Sequence, residues 1–153
     1  IRDSVLGGHG DTMVAMTNNT FINEKPLSEF VKTGKLPETK LKKIIERTKT
    51  GGAEIVKYLK KGSAFYAPAS SGIEMAESYL KDLKKELPCA AFLDGEYGVK
   101  NLYVGVPVII GKNGVEKIVQ INLSEEEKNN FLKSINAVKE LFESAIKIDP
   151  NLK

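Results

Sequence analysis

The spacing of apolar positions changes repeatedly along the chain, and each change predicts a different element. Val5-Leu6 and Met13-Val14-Ala15-Met16 read as strand material on either side of a turn through Gly7-Gly8-His9-Gly10-Asp11. Asn18-Asn19 tolerates positive φ, so residues 12–16 and 20–22 are expected to pair as a hairpin. Leu27–Lys32 follows Pro26 as a short helix closed by Gly34. From Pro37 the period becomes helical: Leu41, Ile44, Ile45, Thr48, Ile55, Val56 and Leu59 share one face, with Lys and Glu opposite. Gly51-Gly52 interrupts that face, and each glycine costs about 1 kcal/mol inside a helix relative to Ala. Either the helix breaks there or another backbone lies close; one long helix with a local kink is the expectation. A second stripe, Ile73, Ala76, Leu80 and Leu83, predicts a helix over residues 70–86, ended by Pro88.

Beyond Pro88 the period shortens to two. Residues 89–93 are a short apolar run, and Leu102, Val104, Val106 and Val108 alternate with Tyr103, Gly105 and Ile109. Pro107 predicts an edge position or a bulge, because proline offers the ladder no donor. Lys112-Asn113-Gly114 predicts a hairpin turn into Val115, Val119 and Ile121. Ser124 with Glu127 forms a capping box, and Glu125 and Glu126 suit the positive end of the helix that follows. Phe131, Ile135, Val138, Phe142 and Ala145 are its buried stripe. The fold class is α+β, antiparallel strands packed with long helices and closed by a C-terminal helix. The strict β–α alternation of a nucleotide-binding sheet is missing, so no Rossmann domain is expected in this chain.

Composition narrows the function classes. A chain of 153 residues is expected to form a single domain, and a net charge of +3 is too small to imply nucleic acid or an anionic membrane as partner. One Cys and one His exclude an internal disulfide and a structural zinc site. No apolar stretch approaches a membrane span, and the start lacks a secretory layout; the cytoplasm, or the interior of an organelle, is the expected location. The chain begins at Ile1 rather than Met, and so reads as a processed product or a piece of something longer.

The one segment that invites a chemical reading is Gly7-Gly8-His9-Gly10-Asp11-Thr12. Glycines leave the imidazole open to close approach by a ligand. Neutral imidazole accepts a proton from a hydroxyl near neutral pH and, once charged, returns it to a carbonyl. Asp11 would hold the ring only if the turn folded it back. The competing readings are a turn histidine that caps backbone groups and, weaker, a metal ligand paired with Asp11. Neither G-x-G-x-x-G nor G-x-x-x-x-G-K-[ST] occurs, which argues against independent dinucleotide binding. Ser63, Ser70 and Ser71 lack a nucleophile elbow, and Asp94 with Glu96 fits a solvated turn better than a carboxylate pair. Lys40, Lys42, Lys43, Lys57, Lys60 and Lys61 read as solvated helix faces, and Cys89 as core.

Around the histidine, Val5-Leu6-Gly7-Gly8-His9-Gly10-Asp11-Thr12-Met13-Val14 resembles the lactate/malate dehydrogenase family, C-terminal domain. More specifically it is similar to the malate dehydrogenases closest to lactate dehydrogenases. Arg47-Thr48-Lys49-Thr50-Gly51-Gly52-Ala53-Glu54-Ile55-Val56, Gly62-Ser63-Ala64-Phe65-Tyr66-Ala67-Pro68 and Gly95-Glu96-Tyr97-Gly98-Val99 follow the same pattern in order. So do Tyr103-Val104-Gly105-Val106-Pro107 and Asn113-Gly114-Val115-Glu116-Lys117-Ile118, so the likeness covers nearly the whole chain.

The resemblance implies that His9 takes the hydroxyl proton as hydride leaves malate for NAD, and protonates oxaloacetate in reverse. It implies that Ala64 and Pro68 line the nicotinamide and substrate pocket, and that the full-length protein is a homo-oligomer of the tricarboxylic acid cycle. Gly8, where lactate dehydrogenases usually carry Glu, and Ser63-Ala64 lean toward malate. Ala15 departs from the proline usual after Met-Val, and leaves the proton chemistry untouched. The family's glycine-rich cofactor domain, its substrate-binding arginines and the aspartate that partners the histidine precede this segment. Arg2 and Asp3 stand too near His9 to match them. Residues 1–153 are therefore expected to be the C-terminal catalytic and substrate domain of a longer dehydrogenase, inactive alone. A lactate or other 2-hydroxyacid dehydrogenase is the alternative within the class, and a non-catalytic binding or oligomerisation module the alternative outside it.

Overall fold

The computed structural model describes residues 3–152, so Arg2 lies outside them. Strands β1 (Val5–Leu6) and β2 (Val14–Ala15) pair antiparallel across the histidine turn, Leu6 opposite Val14. Strands β3 (Phe21–Ile22) and β4 (Lys25–Pro26) form a second hairpin, whose turn residues Asn23 and Glu24 both take positive φ, 48° and 66°. The hairpin expected through Asn18-Asn19 does not form. Thr17–Asn19 is a 3-10 turn, and β2 pairs with β1 because that register buries Leu6, Val14 and the following Met16 together.

Three helices follow: α1 (Leu27–Lys32), α2 (Glu38–Leu59) and α3 (Tyr66–Leu80). The long α2 runs unbroken through Gly51-Gly52, and nothing lies within 4 Å of where a Cβ on either would stand. Close approach of another backbone within the described chain is therefore not what these glycines serve. Gly51 lies between Arg47 and Glu54 on one face of α2, and those two side chains pair across it. That pair is bidentate, at 3.0 and 3.1 Å.

Helix α3 begins and ends earlier than the stripe predicts. Pro68 sits in its first turn, where a missing N–H breaks no intrahelical bond. Beyond Leu80, Asp82 and Lys84 adopt φ of 48° and 54°, which stops the helix and turns the chain into a strand. The stripe is also not a buried face here: Ile73 is 69% and Leu80 78% exposed, whereas Ser78 is fully buried. Ser78 donates its hydroxyl to the Ile110 carbonyl at 2.7 Å and accepts the Lys85 N–H at 3.2 Å, so a polar link seats α3 on the sheet.

That sheet is an antiparallel meander of β5 (Lys85–Asp94), β6 (Lys100–Gly111) and β7 (Gly114–Ile118), with β6 central. Pro107 is thus in the middle strand, against expectation. It sits directly opposite Pro88, and its carbonyl accepts the Val119 N–H at 2.8 Å; the Val119 carbonyl, which an N–H at position 107 would have reached, accepts the Tyr97 hydroxyl at 2.7 Å instead. The hairpin expected at Lys112-Asn113-Gly114 is present, with Gly111 paired to Gly114.

Helix α4 (Glu125–Ile148) closes the fold and carries the predicted capping box, Ser124 Oγ with the Glu127 N–H and the Glu127 carboxylate with the Ser124 N–H. Leu102, Val104, Val106, Val108 and Ile110 alternate inward along β6 and meet Leu6, Val14, Phe131 and Ile135 in one core. The stripe of α4 is buried at Phe131 and Ile135, half-buried at Val138 and exposed at Phe142. Helix α2 buries no residue at all. Among the described residues no helix is long and apolar enough to cross a membrane.

Candidate active site

The turn between β1 and β2 is fixed to the core at two backbone positions before it reaches the histidine. Gly7 exchanges both of its backbone hydrogen bonds with Gly105 of β6, at 2.8 and 2.9 Å. A Cβ on Gly105 would overlap the Gly7 carbonyl, so this approach requires glycine. Gly7 itself has a φ of 90°, and a Cβ there would overlap the Ser134 side chain. The next amide, Gly8 N–H, donates to Ser134 Oγ at 2.8 Å. Ser134 stands on α4 between Phe131 and Val138 and is 2% exposed.

Gly8 is confined as well. An added Cβ would come within 2.6 Å of Thr12 Oγ1 and 3.3 Å of Val138. A side chain at this position would require the Thr12 hydroxyl to turn away and Val138 to give by a few tenths of an ångström.

His9 leaves this anchored backbone in an extended conformation, φ −85° and ψ 141°, and projects into solvent ahead of the 3-10 turn Gly10–Thr12. Its side chain makes no capping hydrogen bond, which removes the reading of a turn histidine that caps backbone groups. Asp11 is exposed and forms no hydrogen bond or ion pair with His9 among the described residues. The turn does not fold it back. Among the described residues no group of three or more His, Cys, Asp or Glu could hold a metal ion, so the pairing of His9 with Asp11 as ligands gains no third member.

The far end of the same segment is tied to the same helix. The buried Glu127 carboxylate accepts the Asn18 N–H at 3.3 Å and Asn18 Nδ2 at 2.9 Å. It also accepts the Ser124 N–H at 2.9 Å and the Ser124 hydroxyl at 2.8 Å. Burial alone would raise the pKa of this carboxyl, but the donors from Ser124 and Asn18 outweigh it and hold the group below its ordinary value. Between these anchors lies a polar cavity of about 490 Å³, bordered by Asp11, Thr12, Lys49, Ser124, Asn130 and Ser134; its walls do not include His9. Ser134 and the long-range half of the Glu127 network are absent from the sequence reading. The available signal was a serine at position 134 on the apolar face that Phe131, Ile135 and Val138 define.

Ala64 is half-buried just before α3, and Pro68 is exposed in its first turn. No hydrogen bond or ion pair among the described residues joins either to His9. Cys89 packs partly against the core with its Sγ 3.5 Å from Met75 Sδ, and burial raises its thiol pKa, the opposite of an activated nucleophile. Glu96 accepts the Asp94 N–H at 2.8 Å, and backbone hydrogen bonds lower its pKa; the two carboxylates form a turn rather than a catalytic pair. The six lysines of the two charged runs are all exposed.

The site is an exposed imidazole on an anchored hairpin turn, backed by an antiparallel sheet and a long terminal helix. The chain belongs to the lactate/malate dehydrogenase family, alpha/beta C-terminal domain, which matches residues 2–148. It is 63% identical over 152 residues to a malate dehydrogenase of Pelagibacter ubique (strain HTCC1062), covering 99% of this chain and 48% of that protein. Its fold superposes on Cryptosporidium parvum malate dehydrogenase with a TM-score of 0.91 at 49% identity, over 94% of this chain and 46% of the other. Lactate dehydrogenase from Eimeria maxima, in a structure with NADH and oxamate, gives a TM-score of 0.93 at 40% identity over 97% and 46% of the two chains. The chain thus spans about half the length of the relatives it matches.

Proposed function

We propose that this chain is the C-terminal catalytic and substrate domain of a longer NAD-dependent malate dehydrogenase that interconverts malate and oxaloacetate. The observation that carries the proposal is the exposed imidazole of His9, without a hydrogen-bond partner among the described residues, on a backbone pinned at Gly7 and Gly8. High identity to a malate dehydrogenase supports malate over lactate.

The described residues offer NAD only part of a site. Ala64, just before α3, and Pro68, in its first turn, are small and ring-shaped apolar residues that would suit the flank of a nicotinamide ring. No strand-loop-helix cradle for its phosphates is present among them, and the nucleotide would be held by residues outside this segment. NAD, when bound, would supply the hydride acceptor for the hydroxyl-bearing carbon.

His9 handles the proton. Its neutral ring accepts the hydroxyl proton of malate, and its charged ring gives one back to the carbonyl of oxaloacetate. Pinning the backbone on the N-terminal side of the ring keeps the accepting nitrogen from wandering, which is the positioning component of catalysis. The uncovered apolar positions of α2 and α3 support association with the rest of the polypeptide and with further copies, hence a homo-oligomer.

The test is His9→Asn in the full-length polypeptide, followed by oxaloacetate-dependent NADH oxidation. The expected loss in kcat is about 10²- to 10⁴-fold with retained NADH binding. Unchanged turnover would leave a non-catalytic module as the better reading.

A further inference from the structure

The helix that closes the fold is fastened to both ends of the histidine segment, and the two fastenings use side chains that the proton chemistry does not. Upstream, Ser134 Oγ takes the Gly8 N–H at 2.8 Å, one residue before His9. Downstream, Glu127 takes the backbone and side-chain N–H groups of Asn18. Between these points Val14 and Met16 are held in the core, whereas β1 and β2 are only two residues long each and the residues of Gly10–Thr12, which directly follow His9, include none that is buried.

Ser134 is the closer of the two and the less expected. It is 2% exposed on an otherwise apolar face, flanked by Phe131 and Ile135 at 2% each. A serine in that setting is tolerated because its hydroxyl has a partner, and the partner is the amide next to His9. An apolar residue of the same size would pack equally well and leave the Gly8 N–H without an acceptor. The geometry also makes Ser134 a stop: the Gly7 backbone comes so close that a Cβ there would overlap the hydroxyl. The helix therefore limits movement of the Gly7-Gly8 backbone in one direction by contact, and in the other by the hydrogen bond.

We propose that Ser134 is a positioning residue for His9, acting through the Gly8 amide, and that α4 thereby sets where the accepting nitrogen stands. This rests on the reading of His9 as proton acceptor. Loss of the hydroxyl frees the Gly8 amide and lets the ring swing, so the proton-transfer step slows while substrate and cofactor still bind. A displacement of about 1 Å at a reacting group costs on the order of 10²-fold in rate.

The experiment uses the full-length polypeptide and compares Ser134→Ala, Ser134→Cys and His9→Asn. Readouts are kcat and KM for oxaloacetate, NADH affinity by fluorescence, and amide hydrogen exchange at Gly8. Ser134→Ala is expected to lower kcat about 10- to 100-fold with KM and NADH affinity within about threefold, and to speed Gly8 exchange. Ser134→Cys, nearly the same size and a weaker acceptor, is expected to fall between Ala and Ser; it keeps the proposal open to refutation should Ser134→Ala not fold. Folded Ser134 variants with unchanged kcat overturn the proposal, and so does a loss of thermal stability with no split between kcat and KM. If His9→Asn retains turnover, the reading of His9 itself fails; if it abolishes turnover while both Ser134 variants keep full kcat, only the positioning role fails.

Discussion

Replacing Glu127 separates the two jobs its carboxylate performs. Oε2 accepts three donors, from Ser124 N–H, Ser124 Oγ and Asn18 Nδ2, whereas Oε1 accepts the Asn18 N–H alone. In Glu127→Gln the amide oxygen takes the crowded place, because an NH2 group there would face three donors. The NH2 then points at the Asn18 N–H, which loses its acceptor. Hydrogen bonds to charged groups contribute about 1.5–3 kcal/mol, and Asn18 is itself exposed, so water replaces part of that; about 1–2 kcal/mol is the local loss. Converted at tenfold per 1.4 kcal/mol, the Asn18 amide should exchange about 5- to 30-fold faster at pH 7.

Glu127→Ala removes the cap as well and should cost about 2–3 kcal/mol, speeding exchange at Ser124 and through the first turn of α4. Amide exchange read by mass spectrometry or NMR resolves the two regions. Because the folded carboxyl lies below its ordinary pKa of 4.5, its contribution is fully present at neutral pH and is lost as pH falls through the folded pKa. Exchange at Asn18 that stays within twofold of wild type in both variants would refute the reasoning. So would an effect of Glu127→Ala that is equally large under strongly acidic conditions.

Gly7→Ala must place a Cβ at a φ of 90° and against Ser134, and is expected to destabilise by about 3 kcal/mol or more, seen as a lowered Tm or loss of native protein; a wild-type Tm contradicts it. Tyr97 donates its hydroxyl to the Val119 carbonyl at 2.7 Å and accepts the Ile121 N–H at 3.0 Å, so Tyr97→Phe should cost about 1–2 kcal/mol and expose the Ile121 amide to exchange. Tyr66 is 89%, Leu80 78%, Tyr58 76% and Ile73 69% exposed, so residues 1–153 expressed alone should bind a hydrophobic dye or self-associate, without oxaloacetate-dependent NADH oxidation; a dye-silent monomer contradicts the first part and saturable turnover the second.

Periodicity and local rules made much of this protein legible. Alternation in β6, the capping box of α4, the short α1 and the turn at Asn113-Gly114 all follow from neighbours in sequence, because side-chain direction and turn chemistry repeat over a few residues. The candidate histidine was visible for the same reason: its glycines are adjacent to it.

What the sequence missed depends on contacts made at long range. β2 had two possible partners, and the core shared by Leu6, Val14 and Met16 chose β1. Pro107 looks like an edge residue until the Tyr97 hydroxyl is found on the Val119 carbonyl that faces it. The α3 stripe, apolar by period, is left uncovered, and Ser78 seats that helix instead. Ser134 is 126 residues from Gly8 in the chain, and no local pattern links a helix serine to the amide beside a distant histidine. The sequence by itself determined most of the helices and the long strands and singled out one histidine among glycines; only the tertiary structure decided how the short strands pair and what holds that histidine in place, because its supports come from a strand and a helix that fold onto it from later in the chain.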